Sequence, residues 1–175
     1  SNATRFNVMN IGIGGAGARP TKDGMSVTAF PSGVGTIPIE VTESQCPLLF
    51  RRKEYLPDSG GAGQFRGGLG QVIEVANREP APFTISAATF DRMRNPPRGR
   101  SRGSNGGPGS ASISNGPNIE DKALYIVPAG ESLNLQIPGG GGFGNPAARS
   151  RAAVQFDLDA GLISQTGAEN DYGWA

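Results

Sequence analysis

Glycine and proline set the first limit on this chain. It holds 28 Gly and 14 Pro, 42 of 175 residues. Average usage of the two together is about 12%. Gly gives up the most backbone freedom on ordering, and Pro lacks the amide hydrogen a helix needs. A mostly helical fold is therefore excluded. Hydrophobic residues make up 36% and charged residues 18%. Low hydrophobicity without high charge does not mark a disordered chain. The composition calls for a modest core with much loop. The length calls for one domain, or one domain with an appendage.

Histidine is absent. No imidazole base, Ser–His–Asp triad, Cys–His pair or His metal ligand can come from this chain. Cys46 is the single cysteine, which excludes an internal disulfide framework and a Cys-rich zinc site. With no Lys or His beside it in sequence, it reads as a small buried residue and not a nucleophile. No run approaches 18 apolar residues, so no membrane span is expected, and no signal peptide is visible. A reducing, cytoplasmic setting fits the cysteine usage. The net charge of +1 points to no dedicated nucleic-acid or membrane partner. Ser1-Asn2-Ala3 reads as the scar of a cleaved expression tag and is left out of the fold reasoning. The segment from Thr4 is expected to be a piece of a longer protein.

Apolar runs predict strands at 6–13, 25–30, 36–43, 69–79, 82–93, 111–114, 122–128 and 131–139, with 47–56 extended. Loops are expected at 12–24, 58–68 and 94–110. Turn residues separate the strands at the spacing typical of sandwiches and barrels. After GGGGFGNP (139–146) the texture changes to Ala and Arg, with Val154 and Leu158 at helical spacing. Asn145 and Pro146 suit a helix start, Gly161 its end, and Ser164 the cap of a last helix through Glu169. The expectation is mainly β: a sandwich or irregular barrel over 4–138. A Gly-rich hinge at 139–146 and a helical tail over 147–175 follow it.

Several motifs carry possible chemistry. Gly12-Ile13-Gly14-Gly15-Ala16-Gly17 satisfies G-x-G-x-x-G, but Arg19-Pro20 follows and no helix opens there. A loop of positive-φ glycines is expected instead of a dinucleotide site. Arg92, Arg94, Arg98, Arg100 and Arg102 fall within eleven residues and suit phosphates or carboxylates. No aromatic interleaves them, which argues against RNA. Pairing with carboxylates on the surface or at an interface is the simpler reading. Asp58-Ser59-Gly60-Gly61-Ala62-Gly63, followed by Arg66-Gly67-Gly68, is the densest cluster of all. Its amides could converge into an anion nest, with Asp58 and Ser59 shaping the loop and Arg66 clamping an anion. The plainer alternative is a loop stapled by an Asp58–Arg66 pair. Glu40, Glu43 and Glu54 could do acid–base work or hold a hard metal, but alternation puts Glu40 on a solvated strand face. Phe143 and Trp174 read as aromatic anchors.

Taken together, four segments resemble the hydantoinase B/oxoprolinase family. They are PSGVGTIPIEVTE (31–43), PLLFRRKEYLPDSGGAGQFRGGLGQ (47–71), GGGGFGNP (139–146) and the tail pattern Val154, Asp157, Gly161, Ser164, Tyr172-Gly173. The resemblance is to the C-terminal part of an N-methylhydantoinase B-type subunit. It implies a share in ATP-dependent hydrolysis of cyclic amides such as hydantoins or oxoproline. It also implies an A-type partner that binds ATP and magnesium, and a divalent metal held by upstream sequence of the B-type chain. Related complexes carboxylate ketones, and a purely assembling role is a third possibility. No catalytic, cofactor or metal residue is assignable in these 175 residues. Asp58, Ser59 and Arg66 are the candidates for contact with substrate or intermediate.

Overall fold

The computed structural model describes residues 6–88, 90 and 92–174. Ser1–Ala3 lie outside them. A short helix α1 (Ile39–Gln45) precedes the strands β1 (Leu48–Tyr55), β2 (Gln71–Asn77), β3 (Phe83–Ser86), β4 (Ser110–Ile113), β5 (Leu124–Val127) and β6 (Ser132–Ile137). A 3-10 turn (Pro146–Ala148) leads to α2 (Arg151–Asp159) and α3 (Gln165–Tyr172). The main sheet is antiparallel in the order β1-β2-β6-β4, and β3 pairs β5 in a second antiparallel sheet. The protein is mainly β as expected, with open sheets and no closed barrel among the described residues.

The two sheets share one apolar core. Leu48, Val75, Ala111, Ile113 and Leu133 come from the main sheet, Phe83 and Val127 from the second. Central β2 has neighbours on both sides and is buried along nearly its whole length, so it needs apolar residues on both faces.

Three strand expectations give way. Residues 36–43 are not a strand, because Pro38 caps α1 and leaves the following residues helical. The alternation of Ile39 and Val41 misled: the inward positions are Thr42 and Cys46, one turn apart. Glu43 faces back to the chain and accepts a hydrogen bond from the Phe50 amide at 2.7 Å. Residues 6–13 and 25–30 form no strand, although the amides of Val27 and Thr28 bond to Leu69 and Gly14. The strand expected at 82–93 is only β3, and residues 89 and 91 lie outside the described residues.

Residues 25–28 of those missing strands belong to a glycine layer beside the sheets. Segments 13–18, 23–28, 58–70, 97–107 and 138–144 lie outside the named strands and bond to one another through their backbones. Examples are Ala18 N–H to Gly141 O (2.9 Å), Gly24 to Arg66 (2.7 Å), Gly61 to Gly140 (2.8 Å), Gly68 to Ala16 (2.9 Å) and Gly142 to Ser104 (2.9 Å). Segment 139–142 runs through the middle. A Cβ on Gly139 would meet the Ser59 oxygen at 2.0 Å, and one on Gly140 the Ala16 oxygen at 2.0 Å. On Gly141 it would meet the Arg98 oxygen at 2.3 Å, and on Gly142 the Ala62 oxygen at 2.2 Å. The facing segment thus changes at each residue and returns after three. That is the three-residue period of an extended polyproline-type helix, which has no internal hydrogen bonds and must bond sideways. With a neighbour on every side, all four positions must be Gly. Positive φ, expected for Gly12 to Gly17, occurs at none of them; at Gly14 and Gly15 the reason is close backbone approach, to the Pro138 and Gly68 oxygens, and at Gly12 it is the Ile137 side chain.

Candidate functional site

The D-S-G-G-A-G-x-x-R-G-G motif spans 58–68 and lies within the glycine layer. Several of its amides are spent inside that layer. Gly61, Gly67 and Gly68 donate to the carbonyls of Gly140, Gly61 and Ala16. Asp58 does not pair with Arg66. The acid and the base of the motif turn instead to the C-terminal tail.

Asp58 is exposed and its Oδ1 accepts the Ser164 amide at 2.8 Å. Its own amide donates to Leu162 O at 3.2 Å. Gly167 permits this approach, since a Cβ there would lie 2.3 Å from Asp58 Oδ1. The Ser164 hydroxyl meanwhile accepts from the Gly167 amide and caps α3. Ser59 points inward. Its hydroxyl donates to Leu56 O (2.5 Å) and accepts from the Gly70 amide (2.9 Å), joining β1 to β2.

Arg66 is buried and faces Asp157 of α2, with Nε–Oδ2 at 3.2 Å and Nη2–Oδ1 at 3.4 Å. Its Nη1 donates to Gly67 O at 2.8 Å. Arg149 closes the network. Its Nη2 donates to Asp157 Oδ2 at 2.7 Å, and its fork reaches both Asp23 oxygens at 2.9 and 2.8 Å. The Arg66 backbone amide donates to Asp23 Oδ1 at 2.7 Å and completes a ring. Two cations and two anions balance, as burial of charge requires. Arg66, Asp157 and Arg149 side chains are 5%, 1% and 3% exposed, and Asp23 36%.

Burial opposes ionisation of Asp23, but the hydrogen bonds and charge of Arg149, with the Arg66 amide, prevail and hold its carboxyl below the ordinary value. Burial likewise opposes the Arg149 charge, and Asp23 and Asp157 more than offset it. Tyr172 lies over the Arg149 guanidinium at 5.8 Å, and burial pushes its hydroxyl up to about 12.

The ring forms one wall of an open cavity of about 580 Å³. Exposed Arg19 and Lys22 line it with Asp23 and Arg149, together with Gln64, Phe65 and Ser150. Arg149 Nε is buried and has no acceptor among the described residues. The cavity therefore presents two exposed cations over a neutral base. Sequence reading found Arg66 but missed Asp23, Arg149, Arg19 and Lys22. Arg19 and Lys22 are held by a turn, with amide–carbonyl bonds of 2.9 and 3.3 Å between them.

Among the described residues no group of three His, Cys, Asp or Glu could hold a metal ion. No helix among them is long and apolar enough to cross a membrane.

The tail pattern is the complement of the loop motif. Val154 packs with Ile163 and Ala168, Asp157 receives Arg66, Gly161 takes a positive φ of 66° at the α2 end, and Ser164 both caps α3 and meets Asp58. Residues 1–146 match the profile of the Hydantoinase B/oxoprolinase family. The chain belongs to that family. The beta subunit of caprolactamase from Pseudomonas jessenii is 31% identical to this hydantoinase B/oxoprolinase-family chain, over 92% of it and 29% of the relative. The B-type subunit of a putative D-/L-hydantoinase from Pseudomonas sp. strain NS671 is 32% identical, over 99% and 30% respectively. The crystal structure of the ATP-dependent caprolactamase from P. jessenii is similar with a TM-score of 0.75 at 28% identity, covering 92% of this chain and 29% of that one. The chain spans about three tenths of the length of these relatives.

Proposed function

We propose that this chain is the C-terminal part of the B-type subunit of an ATP-dependent cyclic-amide hydrolase. The observation that carries the reading is the likeness, in sequence and in fold, to a caprolactamase subunit and its ATP-dependent enzyme. In this reading ATP and magnesium are held by an A-type subunit, which activates the ring amide. Upstream sequence of the B-type chain supplies the divalent metal. No residue of this chain is assigned to either group, and no step is derived through them.

This chain's own part is to frame and charge a surface. Arg66 does not reach an intermediate itself: its guanidinium is committed to Asp157 and Gly67. It acts as a positioning residue, holding Asp157 so that Arg149 and Asp23 stay fixed at the cavity wall. Asp58 and Ser59 position the same loop against the tail and the sheet. Arg19 and Lys22 are the groups that would attract an anionic, ring-opened or phosphorylated intermediate.

The test is ADP release by the complete complex of B-type chain and A-type partner. It would be offered pyroglutamate, a hydantoin or caprolactam, and separately acetone with bicarbonate. ADP release with ring opening is the expected result. Release only with ketone and bicarbonate would move the assignment to a carboxylase, and release with neither would favour a purely assembling role. Arg19→Ala with Lys22→Ala should raise KM for the ring-opened or phosphorylated species at unchanged folding. Activity with an unaltered KM would remove both residues from the site.

A further inference from the structure

The five arginines between 92 and 102 are not equivalent. Arg94 lies 3.9 Å from Glu120 and from Asp121 and is paired on the surface. Arg92, Arg98 and Arg100 instead line an open cavity of about 650 Å³, with Asn95, Asn105 and the Pro96-Pro97 pair. No Asp or Glu lines it, and among the described residues no carboxylate pairs with any of the three. Three like charges at one cavity repel, and nothing in the wall offsets them.

The backbone beneath them is fixed. Arg100 donates its amide to Gly142 O at 2.9 Å and accepts from the Gly144 amide at 3.1 Å, which docks the loop on the centre of the glycine layer. Gly106 donates to Pro97 O at 2.9 Å, and Gly99 to Asn105 Oδ1 at 3.0 Å. The last bond consumes the acceptor of Asn105 and turns its amide donors to other partners. Two prolines stiffen the stretch before Arg98. The cavity is therefore rich in donors, and the groups that offer them stand on a backbone anchored by hydrogen bonds, which leaves only the arginine side chains to order on binding.

We propose that this cavity binds the phosphate group of a small molecule, gripped by Arg98 and Arg100 with Arg92 at the rim. A planar guanidinium pairs two parallel N–H groups with two oxygens of a phosphate. The volume lies within the range of small-molecule sites and exceeds a phosphate ion, leaving room for the group that carries it. A nucleic acid is the poorer fit. The chain's net charge is only +1, and residues 92–109 contain no aromatic on which a base could stack. This site is separate from the cavity beside Asp23 and does not rest on the ring-opening reading.

Titration calorimetry of the chain with inorganic phosphate, and in parallel with malonate and a short single-stranded RNA, tests it. Saturable 1:1 phosphate binding is expected, weakened about tenfold or more in the Arg98→Ala, Arg100→Ala double variant. Arg151→Ala, which removes a cation stacked on Trp174 and far along the chain, should bind as the parent does. Arg98→Lys with Arg100→Lys keeps the charge, loses the fork and should fall between. Circular dichroism of each variant checks the fold. Absence of saturable phosphate binding, equal binding by the folded double variant, or tighter binding of malonate or RNA than of phosphate would overturn the proposal.

Discussion

The sheets and the glycine layer are both buried, and they are buried by opposite means. In the sheets, Val75, Ile113, Val127 and Leu133 fill the space between two backbones with side chains. In the layer around 139–142 nothing fills the space: each backbone lies against another, and carbonyl oxygens occupy the places where Cβ atoms would be. The first arrangement is held by apolar area removed from water. The second is held by backbone hydrogen bonds, whose loss inside the protein leaves unsatisfied groups. Packing of side chains has slack, since rotamers can adjust. Packing of backbone on backbone has none, because three of the oxygens that would be struck, those of Ser59, Ala16 and Ala62, are acceptors in use.

The difference is broken most sharply by Gly140→Ala. Its methyl would sit 2.0 Å from the Ala16 oxygen, and an expected loss of about 4 kcal/mol or more would show in urea unfolding. Asp157→Asn comes next. It removes one of two anions facing Arg66 and Arg149 and should cost about 3 kcal/mol, because two guanidiniums remain buried on a single carboxylate. A smaller midpoint shift than that of an exposed-loop control would show that the ring does not tie tail to layer.

Acid probes the same ring. The folded pKa of Asp23 lies below its ordinary 3.8. Its pairing with Arg149 therefore adds stability that is present above that ordinary value and lost as pH falls through the folded one. The stability gap between the parent and Asp23→Asn should be open at pH 6 and shrink as urea midpoints are followed toward pH 3. In the sheet core, Leu133→Met keeps volume and should cost about 1 kcal/mol. Gly35→Ala is the smallest effect, within about 0.5 kcal/mol, since its Cβ meets open space. A Gly140→Ala variant no worse than Gly35→Ala would refute the account of the layer.

Much of the sheet was legible because β2 and β6 alternate or fill in patterns that only strands need. The tail was legible through its caps: Ser164 and Gly161 do what their types suggest. The layer was not, because glycine in sequence has two meanings. A left-handed turn and a close backbone approach look alike until the neighbours are known, and Gly14 and Gly15 proved to be the second. The chain of acids and bases was half visible. Arg66 stood out in its motif, but Asp157 is 91 residues away and Arg149 83, and no local spacing announces such partners. Asp23, in an ordinary Lys-Asp-Gly, gave no signal at all.

The position of segment 139–142 in the chain has a consequence for the order of assembly. It is the centre of the layer, yet of the five segments it is the last to leave the ribosome. Until it arrives, the amides of Ala18, Gly61 and Arg100 and the carbonyls of Gly68 and Ser104 lack the partners they have in the finished layer, and the tail that receives Arg66 and Asp58 comes later still. The sheets can begin to pair early, but β2 also waits for β6. A nascent chain stalled before residue 138 would hold four half-built walls of exposed amides and carbonyls, and its folding would be completed from the inside outward by the residues made last.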